Sequence, residues 1–222
     1  MINEKLRHAQ DISIQLFKAI EEKNLIVPGK TEEQLNAEVC SLAEVGFGIA
    51  QHWHKKIVRS GENTLAIYPD NPPDRVIEAD DILFIDLGPI VEGYEADIGR
   101  TYVLGNDPRK LKLKNDVEKA WYEVREWCGG KECRRASDLF HYAAGKAKEL
   151  GWEFGGAIAG HIVGKYPHEQ PPDPKSLELD IHPDNHNDLF LLDANGDKRH
   201  WILELQFIDR GARIGAYFEQ LL

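Results

Sequence analysis

Cysteine is scarce in this chain of 222 residues: Cys40, Cys128 and Cys133 make an odd number, with no CxxC spacing. That excludes a disulfide framework and a zinc knuckle, and it fits a reducing compartment. Cys40 falls in a helical apolar stripe and reads as core, whereas Cys128 and Cys133 flank Gly129-Gly130, a spacing that allows them to be neighbours in space without requiring it. Positive charge is also in deficit, with 27 Lys and Arg against 38 Asp and Glu and a formal net charge of −11. Phosphate binding needs a basic footprint, so a nucleic-acid partner is not expected. No apolar run approaches the ~20 residues that span a bilayer, and no membrane partner is expected either. The start, Met1-Ile-Asn-Glu-Lys5, lacks a basic region followed by an apolar run. No signal peptide is therefore expected, and the location reads as cytoplasmic. Low-complexity tracts are missing as well.

What the chain does have is acidic residues placed in pairs about turns. From Ile82 to Val103 two β-rich runs hinge near Glu92-Gly93, the pattern of a hairpin, with Asp86 on one arm and Asp97 on the other. A symmetric register sets these two opposite each other on one face, with Cβ atoms roughly 5 Å apart. From Trp201 to Glu219 a second pair of apolar runs hinges near Gly211-Ala212, with Glu204 and Glu219 symmetric about it. Like charges directly opposite one another are destabilising. A single such pair is commonly a solvated face or a turn cap. Two pairs on hydrophobic strands argue for a counter-charge, which a pair of divalent cations supplies. Between the pairs lies Gly160-His161-Ile-Val-Gly164-Lys-Tyr-Pro-His168-Glu169-Gln-Pro171, with two histidines seven residues apart.

The helical pattern frames these pairs. Leu6, Ala9, Ser13, Leu16 and Ile20 mark one face of an N-terminal helix that Pro28-Gly29 breaks. Thr31-Glu-Glu-Gln34 is a capping box opening a second helix with Leu35, Val39 and Leu42 inward. Strand-like runs follow near 49–58 and 64–68. Asp107-Pro108 starts a long helix as N-cap and first-turn proline, with Val117, Ala120 and Val124 on one face. Ser137 begins another, with Leu139, Ala143 and Leu150, and Gly151 stops it. The stretch 171–198, rich in Pro, Asp, Asn and His, reads as a long loop whose His182 and His186 are solvated. Helices followed by a carboxylate hairpin thus occur twice.

The residues quoted above carry a resemblance. Gly160-His161…Gly164…His168-Glu169…Pro171 resembles the GHxxG…HE…P motif of the M24 metallopeptidases, which include methionine aminopeptidase, aminopeptidase P, prolidase and creatinase. The stretch Asp86-Leu-Gly-Pro89…Tyr94…Asp97-Ile-Gly-Arg-Thr101 is similar to that family's first metal motif, and Glu204 and Glu219 match its two late glutamates. The resemblance implies an α+β pita-bread fold, two pseudo-symmetric halves with a curved, mostly antiparallel sheet and outer helices. It implies one domain over 1–222, with a helical segment at 1–46 and no separate N-terminal domain. It also implies a dinuclear hydrolase of the aminopeptidase or Xaa-Pro peptidase type, acting on a small peptide or amide, with a homodimer as one assembly state. Asp86, Asp97, His161, Glu204 and Glu219 become the ligands of two divalent ions, with manganese first and cobalt, iron or zinc as alternatives. By the family pattern Asp86 serves one ion, His161 and Glu204 serve the other, and Asp97 and Glu219 bridge. Glu204 additionally relays a proton and His168 hydrogen-bonds the substrate carbonyl. One departure is visible: the family's aminopeptidases carry a further histidine where this chain has Ile67-Tyr68. His52 and His54 alternate as on a strand, so one of the two is a candidate to stand in, with His54 taken as the candidate catalytic residue and a structural or surface role as the alternative for both. The alternatives are a non-catalytic pita-bread binding protein and a creatinase-like hydrolase of a small non-peptide.

Overall fold

The computed structural model describes residues 3–130, 133–171, 173 and 175–222. Helix α1 (Glu4–Glu22) starts at Asn3, whose side chain accepts from the Lys5 amide, and it buries Leu6, Ala9, Ser13, Leu16 and Ile20 as their spacing requires. Helix α2 (Glu32–Phe47) opens on the Thr31–Gln34 capping box with both reciprocal bonds made. Strand β1 (Ile57–Ser60) runs into a 3₁₀ turn (Gly61–Leu65), followed by β2 (Ile82–Leu87), β3 (Ile90–Val91), β4 (Tyr94–Glu95) and β5 (Ile98–Val103). The second half repeats the plan with α3 (Pro108–Cys128), α4 (Ala136–Glu149), the short β6 (Glu153–Phe154) and β7 (Ile162–Val163), then β8 (His200–Asp209) and β9 (Ile214–Leu221).

Among the described residues seven strands form one antiparallel sheet in the order β1-β2-β5-β9-β8-β6, with β7 added against β8, while β3 and β4 pair as a separate two-stranded sheet. Each helix pair covers half of one face. Leu83, Ile85, Leu87 and Ile98 pack with Leu16, Leu35, Val39 and Ala43 of α1 and α2. Leu203, Leu205, Phe207, Ala216 and Phe218 pack with Val117, Trp121, Val124 and Leu139 of α3 and α4. Strand alternation turns residues 84, 86, 204, 206, 217 and 219 to the opposite face. The apolar side of the sheet is thereby used up in holding the helices, and the acidic side is left to line a cavity.

The expected strands at 49–58 and 64–68 need correction. Only Ile57–Ser60 is strand, and the second run is 3₁₀ turn and irregular chain. Residues 51–54 instead lie against the β2–β3 connection through Ile90 N to Gln51 O (3.0 Å) and Trp53 N to Gly88 O (2.9 Å). The symmetric Asp86–Asp97 register is also corrected: Asp86 pairs with Gly99, and Leu87 with Ile98. Glu92 (φ 50°) and Gly93 (φ 80°) form a two-residue turn with Val91 opposite Tyr94, which shifts the partner of Asp86 by two. Asp97 remains on the same face, one diagonal step away. Cys40 is half-buried rather than core and bonds Asn36, whereas the Cys128 and Cys133 sulfurs are 3.2 Å apart and buried. The 171–198 stretch has neither helix nor strand among its described residues, yet Leu179, Ile181 and Leu189 are buried in the second half's core.

Candidate metal centre

Four strands bring their acidic positions into one row. Asp86 on β2 pairs with Gly99 on β5, Gly99 with Glu219 on β9, and Glu219 with Glu204 on β8. Glycine is required at the second place, because a Cβ on Gly99 would lie 2.5 Å from the Tyr217 ring. That ring lies beside Phe84, with centroids 5.2 Å apart, and the Tyr217 hydroxyl donates to Glu204 Oε2 at 2.6 Å. Asp97 stands just before β5 and reaches into the same space.

His161 arrives from a segment laid on β8. Ile202 N donates to His161 O at 2.7 Å and Glu204 N to Ala159 O at 3.1 Å. Gly160 permits that approach: its φ is 137°, and a Cβ would come 1.9 Å from Ile202 O. The His161 ring has Nδ1 2.9 Å from its neighbour's carbonyl at Ile162, and Nε2 3.2 Å from Asp97 Oδ2 and 3.9 Å from Glu219 Oε1. His54 faces the same carboxylates from the other side, with Nε2 3.1 Å from Asp97 Oδ1 and 3.6 Å from Asp86 Oδ1. His52 points elsewhere and lies outside the cavity lining. Tyr68, where the family histidine is missing, is exposed at the cavity rim, edge-on to His54 at 6.0 Å.

His168 is held 2.8 Å from Glu95 Oε2 through Nδ1, and Glu95 also accepts the amides of Gly164 and His168 at 3.0 Å each. Sequence reasoning missed Glu95, although an acidic residue two before Asp97 shares its face. It missed Trp53 as well, which lies edge-on to His54, His161 and His168 with centroids 4.5, 5.3 and 5.4 Å away. His182 and His186 lie outside the cavity lining; His186 is exposed and pairs with Ser137 at 3.0 Å.

Electrostatically the protein's own groups leave the row under stress. Burial, reinforced by Asp97 and Glu204 against the opposing His54, raises the Asp86 carboxyl to about 7. Burial raises Glu204, and it raises Glu219 well above its usual range with help from Asp97, Asp86 and Glu204. Burial also works against charge on Asp97, but His54 and His161 outweigh it and hold that carboxyl low. The two imidazoles are penalised by burial and rescued by the carboxylates, His54 to about 10 and His161 to about 9. Asp86 Oδ1 and Glu219 Oε2 are buried with no hydrogen-bond partner. Buried polar atoms are nearly always satisfied, so orphaned oxygens here fit a site built for cations. His54, Asp86 and Asp97 form one group of donor atoms close enough to hold an ion, and Asp97, His161 and Glu219 form another. All these residues line a single cavity of about 510 Å³, with His168 on its wall.

A family model described as metallopeptidase family M24 matches residues 4–192. The chain belongs to metallopeptidase family M24. The M24 match stops before β8 and β9, so Glu204 and Glu219 enter the site on geometry. A methionine aminopeptidase from Helicobacter pylori is 33% identical over 115 residues, covering 50% of this chain and 43% of the relative. An Xaa-Pro dipeptidase from Pyrococcus horikoshii is 32% identical over 158 residues, covering 70% and 43%. The chain therefore spans less than half the length of these curated relatives. Among solved structures, the X-Pro aminopeptidase from Thermotoga maritima superposes with a TM-score of 0.75 at 23% identity, covering 97% of this chain and 56% of that one. This likeness shows that the fold is the pita-bread fold of M24 proteins.

Proposed function

We propose that the protein is a dinuclear metal-dependent peptidase that cleaves a short peptide or small amide. The observation that carries this reading is the row Asp86–Gly99–Glu219–Glu204 with Asp97 and His161 beside it, acidic and buried, with two oxygens left unsatisfied. Asp86, Asp97, His161, Glu204 and Glu219 are the residues that would hold two divalent ions, with Asp97 and Glu219 the two that would serve both. Bound divalent ions supply Lewis acidity, polarising a carbonyl and lowering the pKa of a water enough to make it a nucleophile at neutral pH. Manganese heads the candidates, since carboxylate-rich donor sets suit it.

The chain's own residues do the rest. Glu204, whose carboxyl burial raises, takes the proton from the attacking water and returns it to the leaving amine. His168 acts as the imidazolium: Nδ1–H stays on the Glu95 carboxylate and Nε2–H turns to the substrate, where it donates to the carbonyl oxygen as negative charge develops. Ile57, Phe84, Ile158 and Leu179 give the cavity apolar walls, and its volume lies within the range of small-ligand sites. A short peptide with an apolar side chain next to the scissile bond fits such walls. A cytoplasmic site of action is part of this proposal, consistent with the low cysteine content.

The test is a panel of unblocked peptides, Xaa-Pro peptides included, offered to protein loaded with manganese or cobalt. Metal-dependent release of an N-terminal residue is expected. No hydrolysis, with fewer than about one metal equivalent bound per chain where the two-metal scheme needs a pair, sinks the reading and leaves a binding protein in its place.

A further inference from the structure

We propose that His54 is a sixth metal ligand, completing the Asp86 side of the centre so that each ion is held by one imidazole. The proposal rests on the metal-centre reading above and adds to it a residue from outside the five positions proposed there as ligands. His54 comes from the irregular segment that docks on the β2–β3 connection, and the site is built around it. Gly88 has no side chain where a Cβ would lie 2.1 Å from His54 Cδ2, and Trp53 is fixed beside it by Nε1 donating to Ala96 O at 2.9 Å. The His54 side chain is 6% exposed, so it is placed for the interior and not for a mobile substrate.

Its ring orientation decides the role. Nδ1 lies 2.7 Å from the Lys55 carbonyl oxygen, which can only accept, so Nδ1 carries a hydrogen. In the neutral ring Nε2 is then a lone pair, and it faces Asp97 Oδ1 at 3.1 Å and Asp86 Oδ1 at 3.6 Å, two further acceptors. A proton on Nε2 bridges to Asp97 and still leaves Asp86 Oδ1 without a hydrogen bond. A cation between the three atoms serves all of them. Donor atoms bound at about 2.1 Å lie about 3.0–3.6 Å apart for bond angles of about 90–120°, and both observed separations fall in that interval. The same construction occurs at His161, where Nδ1 meets the Ile162 carbonyl at 2.9 Å and Nε2 meets Asp97 Oδ2 at 3.2 Å. Asp97 thus presents one oxygen to each imidazole. An imidazole on both sides shifts the centre toward metals that favour nitrogen donors, iron, cobalt or zinc, relative to an otherwise all-oxygen first site.

The experiment is proton NMR of the whole protein loaded with two equivalents of Co(II), compared with His54→Gln. A histidine ligated to Co(II) through Nε2 gives one strongly shifted, solvent-exchangeable Nδ1–H resonance, and here both such hydrogens are shielded by a carbonyl. Two such resonances are expected in the wild type and one in His54→Gln. Glutamine keeps a donor for Asp97 but removes the imidazole. Losing an outer partner of a ligand costs 10–100-fold in metal affinity, so losing the ligand itself is expected to weaken one of the two sites by at least about 100-fold in equilibrium dialysis. A single shifted exchangeable resonance in wild type carrying two cobalt ions overturns the proposal while the peptidase reading stands. So does retention of both resonances in the variant. Wild type that takes up no cobalt removes the metal-centre reading and this inference with it.

Discussion

At the scale of single residues, Asp97 carries the most. Each of its oxygens faces a different histidine, and its carboxyl is the one member of the row held below its usual range. Asp97→Asn replaces one anionic oxygen with an NH₂ group, so bound metal is expected to fall from two equivalents to below one, with turnover lost and circular dichroism unchanged. Two metals retained with full turnover would remove Asp97 from the centre. His168 is expected to behave differently, because its contact is Glu95 and not the carboxylate row. His168→Ala should leave metal content intact and lower kcat by roughly 10²–10³-fold, the range for losing one oxyanion donor. Metal loss in that variant would instead make His168 a ligand. That these residues gather was legible, because Asp86, Asp97 and His161 lie in short local motifs and Glu204 and Glu219 are symmetric about one turn; their role as ligands belongs to the proposal above. His54 was half legible: its alternation with His52 suggested a shared strand face, but what points it inward is the docking of residues 51–54 on Gly88 and Ile90, a contact between distant positions. Glu95 was hidden for the same reason, since its partners Gly164 and His168 are about seventy residues away.

At the scale of elements, turns decide what the strands present. The hairpin at Glu204–Glu219 was readable because its turn is centred where the two glutamates are symmetric, and they do pair directly. The first hairpin was readable only to within a diagonal step, because the type of turn at Glu92-Gly93, and not the hydrophobic pattern, sets its register. Helix α2 was visible in its capping box, whereas the strand expected at 64–68 lost its partners to the 3₁₀ turn that carries Thr64 to β9, where Gly215 N donates to Thr64 Oγ1 at 2.7 Å. Gly160 tests how tightly the His161 segment is pressed on β8. With φ at 137° and backbone oxygen where a Cβ would go, Gly160→Ala adds dihedral strain to overpacking. It should cost about 3 kcal/mol or more in denaturant unfolding. Gly145, exposed in α4 with nothing near its would-be Cβ, is the control of opposite sign. Gly145→Ala should stabilise by about 0.8–1.0 kcal/mol through helix propensity. A Gly160→Ala protein as stable as wild type would show that the segment can lift from the sheet without loss.

At the scale of the whole molecule, the two helix pairs back the sheet while its opposite face lines an acidic cavity, whose charge couples folding to protons and, on the reading proposed above, to metal. The repeated plan was legible in the order of helices and hairpins. The ordering of 171–198 was not, because its few apolar anchors, Leu179, Ile181 and Leu189, are diluted in a polar stretch. In the metal-free protein Asp86 titrates at about 7 against an ordinary 3.8, with Glu204 and Glu219 raised too. His54 and His161 titrate at about 10 and about 9 against 6.5. Every one of these groups holds its proton to higher pH in the folded state than in the unfolded chain. These five groups therefore bind more protons in the native state from about pH 4 to about pH 10, and their contribution to stability falls as pH rises through that window. His52, which burial lowers to about 4, and His200, which burial also lowers, act with the opposite sign but lie outside the centre, so they shift the metal-loaded and metal-stripped curves alike. Asp97, held low, contributes with the opposite sign, but only on acidification below about pH 4. On the proposed reading, divalent ions would bind the folded centre selectively and replace these protons, stabilising by about 2.7 kcal/mol per site at a hundredfold excess over Kd. Thermal unfolding of chelator-stripped and manganese-loaded protein between about pH 5 and about pH 8 should therefore show a Tm gap that widens with pH. The widening should come from a falling metal-free curve as well as from tighter loading, because protons compete for the same oxygens and ring nitrogens that the ions occupy. A gap that stays constant or narrows over that range would mean that the buried carboxylates are already neutralised by the protein itself, and that metal is not the charge this fold was built to hold.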